Sequence, residues 1–282
     1  MSTLSGSKQT RQTILHSNPV LSRVSKGFER TEGTTATYAG IAGKTFFFLL
    51  ISLVGIGIQL LVAQAFASAP AWFTISVIKG QAPAAISKTE GIIAIAVLIV
   101  GFISELVAIF GRKTTPVTGS IYAASQGYVI SMLVFKLLGE YSYLGLEALL
   151  LTIAVVGVMS FLYTRGIVRD GKTFRIILMS LVFGTIALGL LSLIALLLPF
   201  SHDLVVSMSH NVGFCIAMDV VGLIIAAMFL ISDFSMIDEC VKNGYPKEYE
   251  WSAAFGLVFT VLWIYLKILD LLIQITNSRK SS

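Results

Sequence analysis

The chain of 282 residues is 56% hydrophobic and only 12% charged, and its mean hydropathy is +0.87. Soluble domains carry about 25% charged residues, so these values exclude a soluble globular protein and indicate that lipid is its main solvent. The net charge of +5 is therefore expected to orient the chain in a membrane rather than to bind nucleic acid.

The tail and the apolar runs define the predicted domains. Residues 1–37 are rich in Ser, Thr, Lys and Arg and lack an apolar stretch of signal-peptide length, which predicts a disordered, basic, cytoplasmic tail. Residues 38–276 are expected to form a transmembrane domain, and residues 277–282 a short C-terminal tail. Seven runs within the domain can cross a hydrocarbon core of about 30 Å: 44–67, 91–110, 118–138, 144–164, 174–199, 211–232 and 252–275. The predicted fold is all-α, a polytopic membrane protein of seven transmembrane helices.

The third run carries the weakest transmembrane signal, because five polar residues dilute it: Tyr122, Ser125, Gln126, Tyr128 and Ser131. Such a segment can also be re-entrant where protein or water covers it. Six spans are therefore the alternative to seven.

The basic residues predict the orientation, because positively charged loops stay on the cytoplasmic side. With seven spans, one side receives fourteen of the twenty Lys and Arg residues, beginning with those of the tail. The opposite side receives Lys79, Lys88, Arg279 and Lys280, and Lys136 and Lys267 fall inside spans. We expect the N-terminus to be cytoplasmic and the C-terminus outside.

Neither catalytic nor metal-binding patterns are evident in the sequence. There is no phosphate-binding Gly-rich loop with Lys, no nucleophile elbow and no HExxH motif. His16, His202 and His210 are scattered, and Cys215 and Cys240 would lie roughly 35 Å apart on one helix, too far for a disulfide. We therefore expect no enzymatic activity, no cofactor and no metal centre.

Three charged residues in the sixth and seventh spans are predicted to meet. At about 1.5 Å per residue, Asp219 and Lys267 lie roughly 13 and 12 Å below the outer ends of their spans. Because their depths match, we expect an ion pair, with Asp270 on the same helical face as Lys267. This triad could simply lock two helices together, or its extra carboxylate could change the pairing when it takes up a proton.

A second group of acids is predicted near the inner ends of the spans. Glu105 lies close to the end of the second span, and Asp233 at the foot of the sixth. If these spans touch, the two carboxylates would compete for one proton, with Arg112 or Arg165 as charge partners. Carboxylate oxygens also suit a hard cation such as Ca²⁺. The alternative is a solvated helix end formed by Asp233 with its neighbours Asp238 and Glu239.

Several segments make the chain resemble the bacterial branch of the Bax inhibitor-1 (transmembrane Bax inhibitor motif) family. The similar motifs are Ser17-Asn18-Pro19-Val20-Leu21, Pro116 with Ile121-Tyr122-Ala123 and Gly127, Tyr163 with Gly166-Ile167 and Thr173-Phe174-Arg175, Asp233-Phe234, and Pro246, Glu250-Trp251, Ala254-Phe255-Gly256-Leu257, Thr260, Trp263, Tyr265 and Leu266. The last stretch matches the seventh span of that branch almost without interruption.

The resemblance implies a seven-helix bundle in a bacterial inner membrane, with the last helix near its centre, and a pH-dependent Ca²⁺ leak controlled by two acidic residues. Asp233 fits the first acidic position, whereas Lys267 stands at the second, and Gln126 stands where an acid is common. Asp270 occupies a position where relatives often have Arg. The base and the acid are thus exchanged along one face, which would keep a structural pair but change its response to pH.

Two functions follow as expectations. The first is a passive cation pathway, with Ca²⁺ or H⁺ as the ion, gated by protonation of membrane carboxylates. The alternative is a non-conducting regulator whose basic tail binds other membrane proteins or proteases in stress or cell-death control. A proton-coupled carrier is a third interpretation, disfavoured because no internal repeat is evident. Membrane lipids are expected partners in every case.

Overall fold

The computed structural model describes residues 35–197, 207–208 and 211–280. The predicted tail up to residue 34, with its motif at residues 17–21, lies outside this part of the chain, as do the three histidines. The described residues contain seven long α-helices, which we number in chain order: α1 Tyr38–Ala65, α2 Lys88–Phe110, α3 Thr115–Ser131, α4 Tyr143–Thr164, α5 Lys172–Leu197, α6 Val212–Lys242 and α7 Tyr249–Arg279.

Six of these helices are long and apolar enough to cross a membrane, and α3 is the exception. Its 17 residues span only about 26 Å at 1.5 Å per residue. The helical path nevertheless continues through a π-helical segment, Met132–Leu137, and a short 3₁₀ turn, Gly139–Tyr141. The sequence identified this span as the weakest, and its full crossing stays a prediction.

A short β-hairpin, which the sequence did not predict, adds to the helical bundle. Strands β1 Ala71–Ile75 and β2 Ala84–Ser87 pair antiparallel between α1 and α2. Gly80 lies in the connecting segment with a φ of +74°, a conformation that glycine adopts without the steric cost of a Cβ. Such a short hairpin lacks the extended alternation that identifies strands from sequence.

Helix ends also lie further out than the apolar runs predict. Thr37 caps α1 by accepting a hydrogen bond from the Gly40 amide, so the helix begins at Tyr38 rather than at residue 44. At their C-terminal ends, α6 extends to Lys242 and α7 to Arg279. Polar residues at a span end can remain helical in water, so hydropathy marks the lipid-covered length and not the whole helix.

The helices pack with α1 against α3, α2 against α3, and α7 against α6, α1 and α4. The α1–α3 contact is close, because Gly127 of α3 faces the Ser52 backbone and Gly55 of α1 faces the Ala124 backbone. Small residues of this kind allow helices in lipid to approach backbone to backbone. Most large side chains of α5 are exposed, as expected where lipid covers a helix.

The two ends of the bundle are chemically different. We call the end where α1, α3, α5 and α7 begin the basic end, because most of the basic residues between the helices lie there. The other end, which we call the hairpin end, carries β1 and β2 with the last turns of α7. Arg279 and Lys280 place some positive charge at the hairpin end as well.

Candidate functional site

The predicted pair between the sixth and seventh spans forms in the structure. Nζ of Lys267 on α7 lies 3.2 Å from Oδ1 of Asp219 on α6 and 3.9 Å from Oδ2 of Asp270. The exposed fractions are 8% for the Asp219 side chain, 30% for Lys267 and 49% for Asp270. Asp219 is thus the buried partner, and Asp270 is a second carboxylate at the more open edge.

Gly222 makes room for this triad. A Cβ at Gly222 would lie 3.2 Å from the Cδ and Cε atoms of Lys267, so the lysine stem runs directly over this part of α6. Because Gly222 follows Asp219 by three residues, the two share one helical face. The aliphatic stem of Lys267 therefore packs against the α6 surface at Gly222, and Asp219 on the same face pairs with its charged end.

Asp233 lies in a different environment from the triad. Its Oδ2 atom is buried without a hydrogen-bond partner in the described part of the chain. The carboxyl group faces α7, where it lies beside Thr260 and where Gly256 leaves space for the other oxygen. Thr260 lies seven residues before Lys267, roughly 10 Å along the helix, so Lys267 does not pair with Asp233.

Glu105 and Asp233 are not brought together. α2 packs chiefly against α3, whereas α6 packs against α7 and α4, so each acid faces a different neighbour. The predicted charge partners are engaged elsewhere: Arg112 donates to the Tyr249 hydroxyl at 2.7 Å, and Arg165 lies over the Phe161 ring. The expectation that these arginines relieve repulsion between the two acids does not match their positions.

The alternative of a solvated helix end fits the neighbours of Asp233 but not Asp233 itself. Asp238 accepts hydrogen bonds from Tyr38 and Tyr163 and pairs with Lys242 at 2.5 Å. Glu239 accepts a hydrogen bond from the Tyr245 hydroxyl, which raises the pKa of that tyrosine in the loop after α6. Asp233, one to two turns earlier, makes no hydrogen bond or ion pair with a described Tyr or Lys side chain.

A buried ion pair at the basic end was not predicted. Glu250 is completely buried and pairs with Lys44 of α1, while its Oε1 atom accepts from the Thr37 amide at 2.9 Å. Gly40 is required for this approach, since a Cβ there would overlap the Glu250 carboxyl group. The available signal was an acid immediately before an apolar run, which the sequence interpretation used only as part of a family motif.

A second unpredicted pair joins α2 to the π-helical segment. Lys136 Nζ lies 2.7 Å from Oε1 of Glu90, and Oε2 of Glu90 accepts hydrogen bonds from the Ser87 amide and hydroxyl. Ser87 and Glu90 form a capping box, whose Ser-x-x-Glu pattern is visible in the sequence. A lysine inside a span requires a partner, so the two signals together could have identified this pair.

Among the described residues, no three His, Cys, Asp or Glu side chains are close enough to hold a metal ion. The ion pairs between helices in this part of the chain join α1 to α7, α2 to the π-helical segment and α6 to α7, and neither Asp233 nor Glu105 belongs to them.

Apolar helices of membrane-spanning length, joined by ion pairs between the spans, define a polytopic helical membrane protein. The chain belongs to the Bax inhibitor 1 like family, since the sequence model of that family matches residues 18–277. No curated protein and no solved structure matched the chain in the corresponding comparisons.

Proposed function

We propose that the protein is a passive, pH-sensitive cation pathway, with Ca²⁺ as the main ion, and that it has no catalytic activity. Membership of the family supports a membrane protein of this type, and the finer function is our proposal. The observation that carries it is the position of Asp233, a carboxyl group at the α6–α7 contact with one buried oxygen that lacks a hydrogen-bond partner among the described residues. An ionisable group inside a membrane span is expensive to keep without a role.

In this proposal Asp219 and Asp233, both on α6, have different roles. Lys267 is held by Asp219 at 3.2 Å, so we assign the triad to holding α6 against α7. No cation of the described part of the chain pairs with Asp233, and the neutral form of this carboxyl group costs less to bury than its charged form. We therefore assign proton uptake to Asp233: the ionised carboxylate attracts a cation to the α6–α7 contact, and the protonated form does not.

Calcium flux into proteoliposomes tests this assignment. We expect the full chain to admit Ca²⁺ faster at pH 8 than at pH 6, because ionised Asp233 offers a charged oxygen ligand. Asp233→Asn removes the charge with little change in size, so flux should be low at both pH values. Glu239→Gln is the matched control, since it neutralises an exposed acid on the same helix and should keep the wild-type response. A wild-type pH response in Asp233→Asn would refute the role of this residue.

The alternative function, a non-conducting regulator that binds other membrane proteins, has one observation in its favour. The segment before α1 is fixed to the start of α7: the Ala36 amide donates to the Tyr245 carbonyl at 2.8 Å, and the Thr37 amide to Glu250. A partner that pulled on residues 1–34 would thus act directly on α7. Deleting residues 1–34 while keeping Thr35–Thr37 should abolish capture of membrane proteins and leave any Ca²⁺ flux intact; capture that survives the deletion would remove this alternative.

We also propose seven spans with α7 near the centre of the bundle, a cytoplasmic N-terminus and a bacterial inner membrane as the location. The position of the π-helical segment supports the crossing of the third span. Lys136 of this segment pairs with Glu90 at the beginning of α2, whereas α3 begins next to Gly111, just after the end of α2. The third helical path therefore runs the length of α2.

A further inference from the structure

A cleft at the basic end has a composition that the proposed ion pathway does not use. Three chain segments form it: the first turns of α1, the α2–α3 connection and the start of α7 with the loop before it. Its lining, which we call the basic cleft, contains four cations, Lys44, Arg112, Lys113 and Lys247, beside Pro116 and Trp251. Glu248 is the acid in this lining.

The charges of the basic cleft are incompletely neutralised within the described part of the chain. Lys44 is paired with the buried Glu250. Among the described residues Arg112 is positioned by an uncharged partner, Tyr249, to whose hydroxyl it donates. Lys113 and Lys247 are exposed and make no ion pair with a described residue. With Glu248 as the remaining acid, the cleft keeps an excess of positive charge and therefore favours an anion.

The walls of the cleft are held in place before any ligand arrives. The Trp251 ring packs edge-on against Phe47 and Phe48, with ring centroids 5.7 Å apart in both contacts. The Arg112 guanidinium lies over the Tyr249 ring at 4.8 Å from its centroid. Contacts of this kind reduce the ordering cost of binding.

Below the cations the surface becomes apolar. Val117, next to Pro116 in the first turn of α3, is 66% exposed, and Phe47 of α1 is 40% exposed. Both belong to helices that continue into the apolar body of the bundle. A ligand that meets this surface needs an anionic group at the cleft and hydrocarbon beneath it, which are the two parts of an anionic phospholipid.

The protein's own tail is a poor occupant. Residues 1–34 contain five basic residues and two acidic ones, so the tail and the cleft carry the same sign of charge. Basic pockets between membrane helices are known to accept lipid phosphates. We infer that the basic cleft binds the phosphate group of an anionic phospholipid, with Lys113, Lys247 and Arg112 as its charged contacts and Trp251 at the headgroup level.

The test measures the unfolding temperature of the detergent-solubilised full chain during titration with dioctanoyl-phosphatidylglycerol. A ligand that binds only the folded state raises this temperature as its concentration rises. Dioctanoyl-phosphatidylcholine, which has the same chains and no net charge, should give a much smaller rise. Glycerol 3-phosphate, which has the charge and no chains, should also give a smaller rise; equal effects of either compound and the lipid would overturn the inference.

Two double variants show where the lipid binds. Lys113→Gln/Lys247→Gln removes two exposed charges from the cleft and should weaken the apparent affinity for the anionic lipid by at least about tenfold, since each lysine near a lipid phosphate contributes severalfold. Arg169→Gln/Lys172→Gln removes one exposed charge from the α4–α5 connection and one from the first residue of α5, and should leave the affinity within about twofold. Equal weakening in both variants would mean that general surface charge, and not the cleft, attracts the lipid, and would overturn the inference. Because all four positions are exposed, loss of folding is not expected to obscure the comparison.

Discussion

Replacing Lys267 by Met tests the energetic role of the triad most directly. Methionine keeps the unbranched stem over Gly222 but removes the charge that lies 3.2 Å from Asp219. Breaking a buried ion pair costs about 3–5 kcal/mol, because the remaining charge is left unpaired. The Lys267 side chain is 30% exposed and Asp270 lies at an open edge, so water screens part of this loss. We expect the free energy of unfolding to fall by about 1–3 kcal/mol.

The double variant Asp219→Asn/Lys267→Met separates this cost from the loss of packing. Removing both charges leaves no isolated ion, so the double variant should be more stable than the sum of the single variants predicts. Reversible unfolding of the detergent-solubilised protein, followed by circular dichroism against increasing SDS, gives the four free energies of the cycle. A coupling energy below about 0.5 kcal/mol, the usual scatter of independent sites, would refute the view that this pair holds α6 to α7.

Three further predictions concern packing, the second buried pair and topology. Gly127→Ala should lower the free energy of unfolding by about 1–3 kcal/mol, because its new Cβ overlaps the backbone of α1. Gly57→Ala is the control, since its Cβ meets open space and should leave the free energy of unfolding nearly unchanged. Equal effects of the two variants in an SDS unfolding series would contradict the close α1–α3 contact. Glu250→Gln should cost about 1–3 kcal/mol in the same assay, because the buried charge of Lys44 loses its counter-charge; an unchanged stability would show that water compensates this pair. In a variant without native cysteines, an impermeant maleimide should label Lys88→Cys in intact bacteria and Lys172→Cys only after permeabilisation; the reverse pattern would invert the proposed orientation.

The sequence predicted those parts of the structure that depend on hydropathy and on depth. Six apolar runs became helices of spanning length, because lipid leaves a backbone few alternatives to the helix. The Asp219–Lys267 pair followed from counting residues along two antiparallel helices. That calculation worked because the rise per residue is nearly constant and both residues lie well inside their spans.

Contacts that depend on helix neighbours could not be predicted in the same way. Glu105 and Asp233 were placed near one end correctly, but depth does not say which helices touch, and α2 packs against α3 instead of α6. The Lys44–Glu250 pair was missed for a related reason. Both residues stand at the edges of apolar runs, where a charge is ordinary, and the packing of α1 on α7 buries Glu250 and covers most of Lys44.

The contact between Thr37, Lys44 and Glu250 has a consequence for how the chain is made. Synthesis proceeds from the N-terminus, so α1 enters the membrane long before residue 250 exists. Until α7 arrives, the Thr37 amide and the Lys44 ammonium group must find other partners, such as water or lipid phosphate. α7 therefore supplies the counter-charge that α1 lacks during synthesis. A chain that ends before α7 leaves a charged residue at the start of α1 without its buried counter-charge.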